Sequence, residues 1–299
     1  MSDRFVRDLS ARQNADGGWG AVAGAASDTE CTALVLIALS RAAAPAESVT
    51  GAERWLLDRQ EADGAWRYRD DGPVARWPTP VALIALNGRG HDAALDRGMT
   101  WLLAQSGEQM PWFQRVREFL TGTQTVELDT TLEGWPWAAG TFAWVEPTAW
   151  AVMAIRARWP ADPPRAARTR LREAESMLLD RACPGGGWNY GNKRVLEVDL
   201  EPYPDTTALA LLALRGREDP EIEAGFRAID RLLGEHASGL ALALAVLSHR
   251  AWGRDSSSLE ARLVKKYADS AFLGETRTLA LAALATDTAP GWFGESAHA

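Results

Sequence analysis

Apolar residues along this chain fall into two alternating kinds of segment. One kind is amphipathic. AERWLLDRQ (52–60) and IDRLLGEH (229–236) carry tryptophan, leucine and isoleucine at helical spacing, with charges between them. The other kind is apolar on nearly every side: TALVLIALS (32–40), TPVALIALNG (79–88), TAWAVMAIRA (148–157) and TALALLALRG (207–216), with weaker copies at 239–252 and 278–285. These are rich in alanine and leucine, the strong helix formers. A helix apolar all round has to be buried. Strand patterns are almost absent.

A glycine- and tryptophan-rich turn separates the two kinds. LSARQNADGGWG (9–20) returns as LLDRQEADGAW (56–66) and, degenerate, as LLDRACPGGGW (178–188). Gln13, Gln60 and Gln105 stand 47 and 45 residues apart. The repeating unit is an outer amphipathic helix, a turn and an inner apolar helix. Six units give twelve helices. An open solenoid would leave the inner helices a solvated face, which they lack. The expected architecture is therefore all-α: a closed (α/α)6 toroid of six outer and six inner helices, in one domain over 1–299. Two irregular insertions, at about 106–145 and 189–205, interrupt the period. Long irregular segments in compact repeats usually carry function. Both fall between an outer and an inner helix, on the rim where every inner helix begins. Within the first, alternation in Thr125-Val126-Glu127-Leu128 suggests a short strand.

Composition narrows the function. Net charge is −8, which argues against nucleic acid and anionic membrane surfaces as partners. No apolar run approaches the ~20 residues of a membrane span. The N-terminus has no signal-peptide pattern, so the expected location is cytoplasmic. Cys31 and Cys183 are too few for a disulfide scaffold, and the four histidines do not join them at metal-ligand spacings. Fourteen tryptophans stand against four tyrosines and seven phenylalanines. Indoles at that density either lock repeats together or line a cavity with cation-stabilising faces.

The Gln-x-x-Asp-Gly-Gly-Trp turn followed by a Thr-Ala-Leu inner helix resembles the repeat shared by squalene and oxidosqualene cyclases, class II diterpene cyclases and protein prenyltransferase β-subunits. GGGWNYGN (185–192) also resembles bacterial stand-alone, single-toroid members of that superfamily. The resemblance spans about residues 5–290. In triterpene cyclases the protonating acid stands just before an inner helix, in Asp-x-Asp-Asp-Thr-Ala or Asp-Cys-Thr-Ala. Asp28-Thr29-Glu30-Cys31-Thr32-Ala33 is similar to both and gives Glu30 the acid's place. Tyr203-Pro204-Asp205-Thr206-Thr207 is similar to an Asp-x-Asp-Thr-Thr variant, with Asp205 as the acid and Tyr203 replacing the first aspartate. The same register holds Glu146 in the third repeat and Trp77 in the second. The prenyltransferase zinc ligands have no counterpart; Asn192-Lys193 and Asp199 echo one segment, but no cysteine follows. The resemblance thus implies no metal and no cofactor, with Mg2+ needed only for a diphosphate substrate.

Cyclisation of this kind starts when a carboxylic acid protonates an alkene or epoxide. An ordinary carboxyl is ionised at neutral pH. It has to be kept protonated by desolvation or a neighbouring carboxylate. The resulting cation needs a dry, aromatic cavity. Trp77, Trp144, Trp150 and Tyr203 near the inner-helix starts, with Trp135 and Trp137 in the first insertion, are the candidate substrate-binding residues. Acids in a helix's first turn are also ordinary caps, and the helix dipole lowers their pKa, the wrong direction for such a donor. Glu127-Leu128-Asp129-Thr130-Thr131 matches the motif's letters but precedes no apolar helix, which ranks Asp129 below Glu30 and Asp205 unless it reaches the cavity from a lid. Arg67, Arg69, Arg76, Lys193 and Arg194 are possible diphosphate contacts, or solvated loop charges. The expected function is an isoprenoid cyclase-like enzyme. The alternatives are a non-catalytic toroid binding a hydrophobic small molecule or a protein, and a prenyltransferase-like enzyme without zinc.

Overall fold

The computed structural model describes residues 2–42, 44–108, 129, 131–195, 197–234 and 237–287. Among them are twelve α-helices: α1 (Ser2–Ser10), α2 (Thr29–Arg41), α3 (Ala46–Asp58), α4 (Thr79–Leu86), α5 (Asp92–Ala104), α6 (Val145–Arg158), α7 (Arg165–Asp180), α8 (Pro204–Ala213), α9 (Pro220–Leu232), α10 (Gly239–Ala251), α11 (Ser257–Ser270) and α12 (Thr276–Thr286). The strand expected at 125–128 lies outside the described residues. The second insertion holds an antiparallel hairpin of β1 (Arg194–Val195) and β2 (Val198–Asp199), with Arg194 opposite Asp199. No helix among the described residues is long and apolar enough to cross a membrane.

The even-numbered helices form the inner ring. Each packs on its two neighbours in the order α2, α4, α6, α8, α10, α12, and α12 packs back on α2. The fold is an all-α toroid. The inner helices are buried almost end to end, as their all-round apolarity requires. The outer helices are amphipathic and bury one face, such as Ala52, Trp55 and Leu56 on α3. Each of α3, α5, α7, α9 and α11 packs on the inner helix that precedes it, and α1 packs on α12 across the seam. The seam is also held by Arg12, which donates to the Gly274 carbonyl at 2.7 Å, and by the Arg41–Asp287 ion pair at 2.8 Å.

The turn tryptophans explain why the repeat is readable. Trp19, Trp66, Trp135 and Trp188 are all buried. Each indole N–H donates to a carbonyl at the end of an outer helix: Leu9, Leu56, Leu102 and Leu178, at 2.8, 2.7, 2.9 and 2.6 Å. Each backbone N–H donates to a threonine hydroxyl at the start of an inner helix: Thr32, Thr79, Thr148 and Thr207, at 3.0, 3.0, 2.9 and 2.9 Å. One residue thus clamps outer to inner helix. In the first two turns the glutamine ties one repeat to the next, since Gln13 donates to Ser48 and Gln60 to Ala94. Gly64 has φ +98°, and a Cβ there would meet the Arg97 carbonyl oxygen at 2.4 Å. Only glycine combines that conformation with so close an approach.

Candidate active site

The inner helices start on one rim, and their register is set by backbone bonds to the neighbouring repeat. Thr29 N–H donates to Tyr68, Val145 to Tyr190 and Thr276 to Ala21, at 3.0, 2.9 and 2.8 Å. Each acceptor stands two residues after a turn tryptophan. The residue after each donor is therefore equivalent: Glu30 on α2, Glu146 on α6 and Arg277 on α12.

These three side chains meet. Arg277 Nε lies 3.1 Å from Glu30 Oε1, and its terminal nitrogen is ion-paired with Glu146 Oε1. Helices α12 and α2 are neighbours. Helices α12 and α6 are third from each other around a ring of six, so the guanidinium reaches across the ring. Glu30 and Glu146 keep 6% and 8% of their surface, and the Arg277 side chain 19%. Glu30 Oε1 has no hydrogen-bond donor of its own.

The capping role at α2 belongs to Asp28, whose carboxylate accepts from Cys31 N–H at 2.8 Å. That leaves Glu30 to face the ring. Burial pushes its pKa up; Arg277 pulls it back; Glu146, Asp28 and Glu275 push it up again, leaving it at about 7. The direction is opposite to the one the helix dipole alone would give, because desolvation is the larger effect here. Burial also raises Asp28 against its hydrogen bonds from Cys31. Desolvation opposes the charge of Arg277, but Glu30 and Glu146 outweigh it and hold the guanidinium ionised. The Tyr68 hydroxyl is pushed up to about 12 by burial and by the fields of Asp28, Cys31 and Glu30, which keeps it neutral.

Tyr68 begins a file of aromatic rings leading away from the acids. Its ring stacks on Trp77 at 5.9 Å, and Trp77 meets the edge of Trp137 at 4.6 Å. Trp77 and Trp137, with Trp101 and Trp135, line a cavity of about 350 Å3 between the starts of α4 and α6, which contribute Pro80 and Pro147. That volume lies in the lower part of the range for small-molecule pockets.

No family model matches the chain. Over 72 residues it is 40% identical to a drimenyl diphosphate synthase from Streptomyces showdoensis, a match spanning 23% of this chain and 14% of the synthase. In three dimensions it is similar to a protein from Actinoplanes, with a TM-score of 0.59 at 18% identity, over 95% of this chain and 98% of that one. It is similar too to the type II terpene cyclase MstE from Scytonema, with a TM-score of 0.57 at 19% identity, over 89% of this chain and 77% of the cyclase. The fold is that of the type II terpene cyclases.

On this cyclase fold the expected site residues divide. Glu30 and Glu146 are brought together through Arg277. Asp205 lies half-buried in the first turn of α8, where its charge acts on Tyr190, whose ring lies 4.9 Å from that of Tyr203. Trp77 and Trp137 line the cavity. Trp144 is half-buried at the start of α6, and its N–H donates to Trp135 O. Trp135 lines the cavity as well, but it is the clamp of the third repeat and not part of a cover. That clamp escaped the sequence reading because Glu133-Gly134-Trp135 keeps only two letters of the turn. Trp150 is wholly buried within α6. Asp129 stands beside the end of outer helix α7. It is exposed, its carboxylate accepts from Thr131 N–H at 2.8 Å, and its own N–H donates to Asp180 at the end of outer helix α7. Among the described residues no three histidines, cysteines or acids stand together as a metal's donors.

Arg277, Tyr68 and Trp101 were not anticipated. Matching TLALAALA to the other inner helices places Thr278 opposite Thr32. The backbone bonds place Leu279 there, since Leu279 N–H donates to Glu275 as Thr32 N–H does to Asp28. Thr276-Arg277 therefore takes the place of Thr29-Glu30, one residue later than apolar matching suggests.

Proposed function

We propose that the chain is an isoprenoid cyclase that starts carbocation cyclisation by protonation, with Glu30 as the donor. One observation carries the reading. Glu30 is a buried carboxyl at an inner-helix start, with a pKa near neutrality and an oxygen that accepts no hydrogen bond. A carboxyl with a pKa of about 7 is protonated in much of the population at neutral pH. In the proposed step its O–H bond breaks, the π electron pair of the terminal alkene forms a C–H bond at the less substituted carbon, and a tertiary cation is left at the other. Successive alkenes attack that cation, and a final proton loss ends the cascade. Arg277 stabilises the carboxylate left behind. Tyr68, Trp77 and Trp137 offer neutral ring faces to the migrating charge.

The likeness to type II terpene cyclases supports this reading through the fold, and the 72-residue match to a drimenyl diphosphate synthase supports it through sequence. The test is product analysis by gas chromatography–mass spectrometry after incubation with squalene, oxidosqualene and prenyl diphosphates of several lengths, with and without Mg2+. Glu30→Gln, Glu146→Gln and Asp205→Asn run in parallel. A cyclised product lost in Glu30→Gln with folding intact supports the proposal. Loss in Asp205→Asn alone transfers the role to Asp205. The absence of any product favours a toroid that binds a hydrophobic molecule without converting it.

A further inference from the structure

Resting on that reading, we infer that the substrate is an isoprenoid with an uncharged head, such as a hydrocarbon, alcohol or epoxide, and not a prenyl diphosphate. The argument is the charge arrangement around the ring mouth. Asp28, Glu146 and Glu275 all act on Glu30, and Asp205 and Glu146 both act on Tyr190. Against these carboxylates stands Arg277, and both Glu30 and Glu146 already engage it. Arg69, the cation that acts on Asp28, is 2.9 Å from Asp71.

The remaining bases that could meet a diphosphate are held in the same way. Arg67 and Arg76 share the two oxygens of Glu61, and Arg76 also reaches Asp63 at 3.4 Å. Lys193 is 3.3 Å from Asp180, and Arg194 is 3.0 Å from Asp199. A diphosphate would have to break these pairs while bringing further negative charge to a mouth rich in carboxylates. Magnesium could bridge acids to a diphosphate, but the central acids are joined to a guanidinium, and no three donors are grouped for a metal among the described residues.

The cavity makes the complementary case for the tail. Four tryptophans and two inner-helix prolines supply apolar wall, beside the polar Gln105 and Ser106. Its one charged lining residue among the described ones is Arg76, the side chain already bridged by Glu61 and Asp63. An apolar chain placed there would leave no unpaired charge on the lining.

Binding is measured on the full chain by tryptophan fluorescence, pairing farnesol with farnesyl diphosphate and geranylgeraniol with its diphosphate. Each pair is titrated at low and high salt, with and without Mg2+, alongside product analysis. The alcohol is expected to bind at least ~10-fold more tightly than the diphosphate of equal length at low salt, with the gap closing as salt screens the carboxylates. Asp205→Asn is expected to narrow the gap by strengthening diphosphate binding. Tighter binding of the diphosphate under any of these conditions overturns the inference. If that diphosphate is also cyclised and the product is lost in Glu30→Gln, the cyclase reading survives while the neutral head falls. Failure of both ligands to bind overturns both.

Discussion

Arg277 and Glu146 stand on opposite sides of the inner ring, yet their side chains are ion-paired between its walls. The same guanidinium touches Glu30 on the adjacent helix, so one cation serves two buried carboxylates. Taking charges out of water is expensive, and such a group holds together only while its members compensate one another.

Arg277→Gln removes the compensation and leaves Glu30 and Glu146 facing each other. Breaking a buried pair by deleting one partner costs about 3–5 kcal/mol. The 19% exposure of the Arg277 side chain argues for the lower end. The loss is expected at pH 8, above the pKa of about 7 that Glu30 has in the fold. It should shrink towards pH 5, because Glu30 takes up a proton below about 7 and the repulsion is lost. Urea unfolding of wild type and variant at the two pH values measures this. An equal loss at both would mean that Arg277 acts through packing and not through charge.

Glu30 carries a second pH dependence. Its pKa rises from 4.5 in a solvated chain to about 7 in the fold, so the folded state holds the proton more tightly. This contribution is fully present below pH 4.5 and is lost as pH rises through about 7. The shift corresponds to roughly 3 kcal/mol across that window. Glu30→Gln deletes the titration. The stability difference between variant and wild type should therefore move in the variant's favour from pH 4.5 to pH 8, by up to that amount. Denaturant midpoints across the range report it. A pH-independent difference would mean that the carboxyl titrates as in water.

The parts of the molecule that were legible are those repeated for packing. Trp19 and Trp66 sit in near-identical turns because each performs the same two-sided clamp, so both their letters and their spacing recur. Trp135 performs it too, but its turn lies inside the first insertion and the glutamine signal is separated from it. The site is built from differences at one equivalent position: Glu30, Trp77, Glu146, Asp205 and Arg277. Repeat matching treats such differences as noise. It found the acids by resemblance, but it could not place Arg277, because the last inner helix is aligned correctly only by its bonds to the first repeat. Nor could it weigh burial against the helix dipole at Glu30, since desolvation depends on what packs around the carboxyl.

The clamp itself gives a test in which two effects oppose each other. Gly98 lies inside the outer helix α5, where alanine would gain about 1 kcal/mol in helix propensity. A Cβ at this position, however, would stand 2.8 Å from Trp66 Cζ3 and 2.8 Å from Leu83 Cδ2. Gly225 on α9 faces Trp188 Cζ3 in the same way, at 2.7 Å. Neither indole can retreat, since each is fixed at both ends by its hydrogen bonds to Leu56 and Thr79, or to Leu178 and Thr207. Overpacking of a core costs about 1–3 kcal/mol. It should outweigh the propensity gain, so Gly98→Ala and Gly225→Ala are each expected to lower stability by about 1–2 kcal/mol. Gly72, where a Cβ meets nothing within 4 Å, is the comparison position, and Gly72→Ala should leave stability nearly unchanged. Thermal unfolding of the three variants decides the matter. A stabilised Gly98→Ala would show that the indole is free to move and that the clamp does not fix the distance between repeats.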